Sequence, residues 1–281
     1  AYFAQLPLAA TGLALGFMPG AVAAAVAAVI VALASPTVGS LSLYMLTAAL
    51  PVILVVYFAL QNRADEDGTV TWYPLGRVLG WLTALALAAF GVTAVVFGMT
   101  GAGLEAAITE YLSTMLGVYR TGGDPAAFDA TIAGMVRFFP AMAAGSWLMM
   151  IVVNCTLAQR LATSWGRNIR PKPSFPDIDV PAWPVAAVVL GAILLIFGGK
   201  PGFYGLNILI IGLVPFFFIG MAVLHSISAA WPGRPLLLAG VYLFLVLLLW
   251  PAAIVAVLGI AENWLRLRDR ANARRTNKRN D

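Results

Sequence analysis

Residues 206–225 read "LNILIIGLVPFFFIGMAVLH", twenty positions without a carboxylate, an ammonium or a guanidinium. Wound as an α-helix, such a stretch rises about 30 Å, the thickness of a bilayer's hydrocarbon core. Outward from it the same signal recurs, at 3–18, 20–34, 41–60, 78–99, 138–159, 184–198 and 236–260. Mean hydropathy is +0.90. The chain is 61% hydrophobic and 10% charged, and its first charged side chain is Arg63. A soluble domain carries near a quarter charged residues and could not clothe itself with so few. The expected fold is therefore an all-α, polytopic membrane helix bundle of about six to eight membrane segments. The expected organisation is a single membrane domain over 1–260, then a basic interfacial helix and tail at 261–281.

The segments differ in kind. Those at 3–18 and 20–34 are short for a crossing, and "TGLALG" and "AVAAAVAAV" suit close helix packing, since small residues let backbones approach. The rows Gly12-x-x-x-Gly16, Ala21-x-x-x-Ala25 and Ala24-x-x-x-Ala28 could dock a helix of this chain or another's. Pro51 marks a kink inside 41–60. The loop after it, "QNRADEDGTVTWYPLGR", places Trp72 and Tyr73 where interfacial aromatics belong. Residues 100–136 are moderately polar and acidic, and Leu104, Ile108, Tyr111, Met115 and Val118 recur at helical spacing. "GGDPAAF" offers Asp124 as N-cap and Pro125 as first helical residue. An amphipathic helical hairpin on the outer membrane surface is expected there.

Four basic residues and five prolines in "QRLATSWGRNIRPKPSFPDIDVPAWP" make 160–182 an extended connector on the cytoplasmic side. It shares that side with 61–77 if 78–99 and 138–159 both cross. With every later segment crossing, the Arg-rich tail would land outside. Residues 184–198 reach only about 22 Å as a helix, so a re-entrant segment there returns the tail to the cytoplasm.

The net charge of +5 sits in that tail, which holds Arg266, Arg268, Arg270, Arg274, Arg275, Lys278 and Arg279. Placed after an apolar segment, they read as an orientation signal and lipid anchor, with Trp264 at headgroup depth, and not as a nucleic-acid surface. Ile260, Trp264, Leu267 and Ala271 share one sector of a helical wheel, and Glu262 and Arg266 form an i,i+4 pair. The chain opens inside an apolar run with neither Met nor a basic n-region, so residues upstream are expected.

Chemistry has few places to sit. Cys155 and His225 are the single cysteine and the single histidine. No span holds a carboxylate pair, a His-x-x-x-His or a Gly-x-Ser-x-Gly. Neither enzyme activity, metal nor cofactor is expected. "GGKPGFYG" lacks the ending of a phosphate loop and reads as a turn. Polar residues at depth remain: Asn154 on the same helical face as Trp147, and Asn207 five turns from His225. Either they line a ligand cavity (Asn154, Trp147, Asn207) or they hydrogen-bond neighbouring helices.

"AYFAQLPLAATGLALG", "TWYPLGR", "SWLMMIVVNCTLAQRL", "NILIIGLVPFFFIGMAVLHSI" and "GIAENWLRLRDR" together resemble the YybS-like bacterial membrane family, domain of unknown function 2232. The resemblance implies a multi-pass inner-membrane protein. That family is distantly similar to the substrate-binding subunits of energy-coupling-factor transporters and to the rod-shape protein MreD. Two functions follow as expectations. The leading one is a small-molecule-binding transporter subunit partnered by a coupling ATPase module. The alternative is a non-enzymatic structural or assembly protein that binds membrane lipid and other membrane proteins.

Overall fold

The computed structural model describes residues 3–120, 124–172, 178 and 180–271. Among them the chain is an all-α membrane bundle, and five helices are long and apolar enough to cross a bilayer. In chain order the helices are α1 Gln5–Leu15, α2 Phe17–Ala34, α3 Val38–Tyr44, α4 Leu50–Ala59, α5 Leu75–Met99, α6 Gly103–Leu116, α7 Pro125–Ser164, α8 Trp183–Ile196, α9 Gly199–Ile227, α10 Arg234–Leu247 and α11 Pro251–Leu265. Helices α3 and α4 are one span joined by a π-helical segment, Met45–Ala49, which lies just before Pro51. Insertion of an extra residue into a turn is a common answer to a proline.

Residues cluster into two compact units. The first comprises Ala1–Leu82, Trp147–Pro181 and Pro215–Asp281; the second comprises Thr83–Ser146 and Ala182–Val214. The units interleave in sequence, so neither is a segment set apart by a linker.

In the first unit, α1 and α2 form a hairpin that turns at Gly16, whose φ of 107° only glycine adopts without strain. Their backbones nearly touch: a Cβ on Gly20 would lie 2.8 Å from the Gly12 Cα, and one on Gly12 would lie 2.6 Å from a Val56 methyl of α4. The Gly12 row is thus used within this chain. Around it Leu8, Ala9, Leu13, Ala24, Val52, Val56 and Ala158 form an apolar core. Helices α9 and α11 approach in the same way. A Cβ on Gly259 would land on the Phe216 carbonyl oxygen, and one on Gly220 on that of Val255. Lipid tails are as apolar as leucine, so such close van der Waals packing holds membrane helices together.

In the second unit, α8 and α9 are an antiparallel pair turning at Gly198 and Gly199, both at positive φ. A Cβ on Gly191 would sit 2.5 Å from the Leu209 nitrogen, and one on Gly205 would sit 2.6 Å from the Leu195 nitrogen. The segment at 184–198 is therefore a 14-residue helix, Trp183–Ile196, that reverses at once into α9.

Four details differ from expectation. The second arm of the hairpin at 100–136 is not a helix of its own but the opening turns of α7, a single helix of 40 residues. Asp124 does cap it, accepting the Ala126 N–H at 3.0 Å. In α6 the buried face is Leu104, Ile108 and Leu112, with Tyr111 and Met115 exposed; Val118, also exposed, lies past the helix end in the turn Gly117–Arg120. The segment 236–260 is two helices, since Leu248 is extended (φ −131°, ψ 116°) and Pro251 starts afresh. Finally, the loop at 61–77 holds a two-stranded hairpin, β1 Asn62–Ala64 with β2 Val70–Trp72, registered Asn62 to Trp72. Its turn runs from Asp65 to Gly68, closed by the Gly68 N–H on the Asp65 carbonyl at 3.0 Å, with Gly68 at φ 82°. The Thr69 N–H donates to the Asp67 carboxylate at 2.9 Å and lowers its pKa.

Candidate functional site

A proline inside a helix cannot donate to the carbonyl four residues before it. For Pro51 that carbonyl belongs to Thr47. Two side chains from elsewhere in the first unit converge on it: the Gln5 Nε2 donates at 2.5 Å and the Trp147 Nε1 at 2.9 Å. Gln5 is 1% exposed. Thus Trp147, expected at a ligand cavity, has its indole N–H on a backbone oxygen of its own bundle. Asn154, two turns further along α7, is buried and donates to the Met150 carbonyl at 2.8 Å.

Asn207 lies in the second unit and is fully buried. Pro140 interrupts α7, and the Asn207 amide fills the gap. Its Oδ1 accepts the Ala141 N–H at 2.8 Å, while its Nδ2 donates to the Arg137 carbonyl at 3.2 Å. Ala141 and Arg137 are the pair that a regular turn would join directly. The second amide hydrogen donates to the Phe203 carbonyl at 2.8 Å. One side chain therefore splices a broken helix, with both its amide hydrogens engaged. His225, at the far end of α9, shares a hydrogen bond of 2.9 Å with the phenol of Tyr242 on α10.

At one end of the first unit the connector after α7 meets the β-hairpin. The Arg170 Nη1 donates to the Ala59 carbonyl at 3.1 Å, at the C-terminus of α4, and to the Tyr73 carbonyl at 3.0 Å. The guanidinium carbon stands 5.8 Å from the Trp72 ring centroid. The loops at 61–77 and 160–182 thus share an end. Burial pushes the Arg170 pKa down, though arginine stays protonated at neutral pH. Tyr73 also stacks on Phe58 and accepts the Trp81 Nε1 at 3.2 Å. Trp72 and Tyr73 are half-buried in this aromatic cluster.

The tail departs from the expected pairing. Helix α11 ends at Leu265, and Arg266 adopts the left-handed conformation (φ 45°, ψ 50°). Glu262, 5% exposed, takes Arg268 instead of Arg266, with Nε at 2.8 Å. The same carboxylate accepts the N–H groups of Leu267 and Arg268, capping a new turn. Arg268 also donates to the Ile178 carbonyl at 2.7 Å. Trp264, Arg266 and Arg270 are exposed. Arg274, Arg275, Lys278 and Arg279 lie outside the described residues.

Sequence reasoning missed Gln5, Thr47 and the separate role of Arg170. A signal for the first two existed, since Pro51 names the carbonyl that needs a donor.

A surface cleft of about 340 Å³ lies in the second unit, between the 98–109 turn and the start of α9, and includes Glu105, Lys200 and Tyr204. Apolar spans with polar groups buried between them define a multi-pass α-helical membrane protein. The chain belongs to the family described as predicted membrane protein (DUF2232), whose model matches residues 1–261. No curated protein and no solved structure matches it.

Proposed function

We propose that this protein is a non-enzymatic structural or assembly component of the membrane, which binds other membrane proteins through its apolar flanks. The observation that carries this reading is the use made of Asn207. Its amide bridges Ala141, Arg137 and Phe203, and leaves no hydrogen for a solute. Trp147 is committed to Thr47 in the same manner. What α2 offers outward is a stripe of Val22, Val26, Val29 and Leu33, each more than half exposed. Its Ala25 and Ala28 would let a second backbone come close.

The arginines after α11 and the basic connector support a cytoplasmic tail, with the chain in a bacterial inner membrane. A photo-reactive residue at Val26, in living cells, should give discrete protein adducts in good yield. At Leu243 on α10 it should give mainly lipid. Lipid-only labelling at Val26 would remove the assembly reading.

The cleft beside Lys200 favours a second reading, small-molecule capture by a transporter subunit. It has opposite charges, Glu105 and Lys200, at one surface opening. A solute bound by the wild type and lost in Lys200→Ala, or a copurifying ATPase module, would bring that reading forward.

A further inference from the structure

The structure holds a second surface feature of different chemistry. A groove of about 280 Å³ runs along α1 in the first unit, and its walls are Pro7, Ala10, Ala14 and Leu15, closed on one side by Trp165 and Arg167. The hydroxyl of Thr11, also in the groove, is turned back onto the Pro7 carbonyl at 2.9 Å. The floor is therefore apolar, and the group left to act on a ligand is the Arg167 guanidinium. Arg167 is exposed, and among the described residues the ion pairs are those of Arg63 and Arg268.

Depth and charge agree on the occupant. Trp165 is 57% exposed, one residue beyond the end of α7. Three residues past Arg167, Arg170 is seated on Tyr73 and over Trp72. Aromatic side chains gather at headgroup depth, so the groove opens at the membrane–water boundary. Residues 160–172 contain Arg160, Arg167, Arg170 and Lys172 and no acidic residue. Basic pockets between membrane helices on such a face take anionic headgroups.

The geometry points to a site for one anionic phospholipid, its acyl chain lying along Ala10 and Ala14 and its phosphate on Arg167. An alanine wall accepts a chain without side-chain reordering, and arginine pairs with phosphate oxygens through a planar fork.

The test uses the full chain, delipidated in detergent and titrated with phosphatidylglycerol or with phosphatidylcholine of the same acyl chains. Native mass spectrometry counts the bound lipid. Wild type should hold the first phosphatidylglycerol about fivefold more tightly than phosphatidylcholine. Arg167→Gln should erase that preference, which comes from the net charge of the headgroup, and should also weaken phosphatidylcholine, which carries the same phosphate. Thr11→Phe, which fills the groove, should weaken both lipids. Arg160→Gln, a surface charge outside the groove, should change neither. Equal affinities in wild type, or a preference that survives Arg167→Gln, would overturn the choice of an anionic lipid. Unchanged affinity for both lipids in Arg167→Gln would overturn the phosphate contact. Unaltered binding in folded Thr11→Phe, or glycerol phosphate competing as well as the lipid does, would overturn the acyl-chain contact.

Discussion

A carbonyl that loses its helical donor inside a bilayer has no water to turn to, and another side chain must reach it. Thr47 has two such donors, Gln5 and Trp147, so neither alone is indispensable. Gln5→Leu or Trp147→Phe should each lower the unfolding free energy by about 1 kcal/mol or less, because one donor remains. The double variant should lose more than the sum, by about 1 kcal/mol, as the oxygen is then orphaned. Additive losses in a double-mutant cycle would show that the two donors do not share one acceptor. Asn207 has no understudy. Asn207→Leu should cost about 2 kcal/mol or more, read by denaturant unfolding in detergent, since the buried Ala141 N–H and Arg137 carbonyl lose their bridge. At this scale the sequence marked the polar side chains and Pro51, but not which oxygen each would meet. Partners 42 and 100 residues away are a matter of tertiary packing.

Elements were more legible than contacts, because a membrane helix announces itself by length and apolarity. The spans at 41–60, 78–99 and 206–225 became Val38–Ala59, Leu75–Met99 and part of Gly199–Ile227. The differences fall at the boundaries. Residues 236–260 are greasy on both sides of Leu248, so hydropathy joins what Pro251 divides. The polar residues after Pro125 read as an arm apart from the span at 138–159. Instead one helix runs through both, with Asn207 mending its break at Pro140. The β-hairpin was hidden for another reason, since three-residue strands carry too little period to see. Helix packing through glycine gives a prediction at this scale. Gly259→Ala sets a methyl against the Phe216 carbonyl, which belongs to backbone and cannot swing away. It should lower stability by about 1–3 kcal/mol. Gly240→Ala on α10, where a Cβ meets nothing within 4 Å, should be neutral. Equal melting temperatures for the two variants would contradict the packing of α9 on α11.

For the whole molecule, Trp147, Asn154 and Asn207 hydrogen-bond backbone carbonyls of this chain, and the proposed assembly role therefore rests on the apolar flanks. Native mass spectrometry of the full-length protein, released gently from its own membrane, puts that statement at greatest risk. The expected spectrum shows assemblies with other membrane proteins, together with bound phospholipid, and no stoichiometric water-soluble adduct. A reproducible adduct of a polar solute on the protein, with no membrane protein attached, would contradict it.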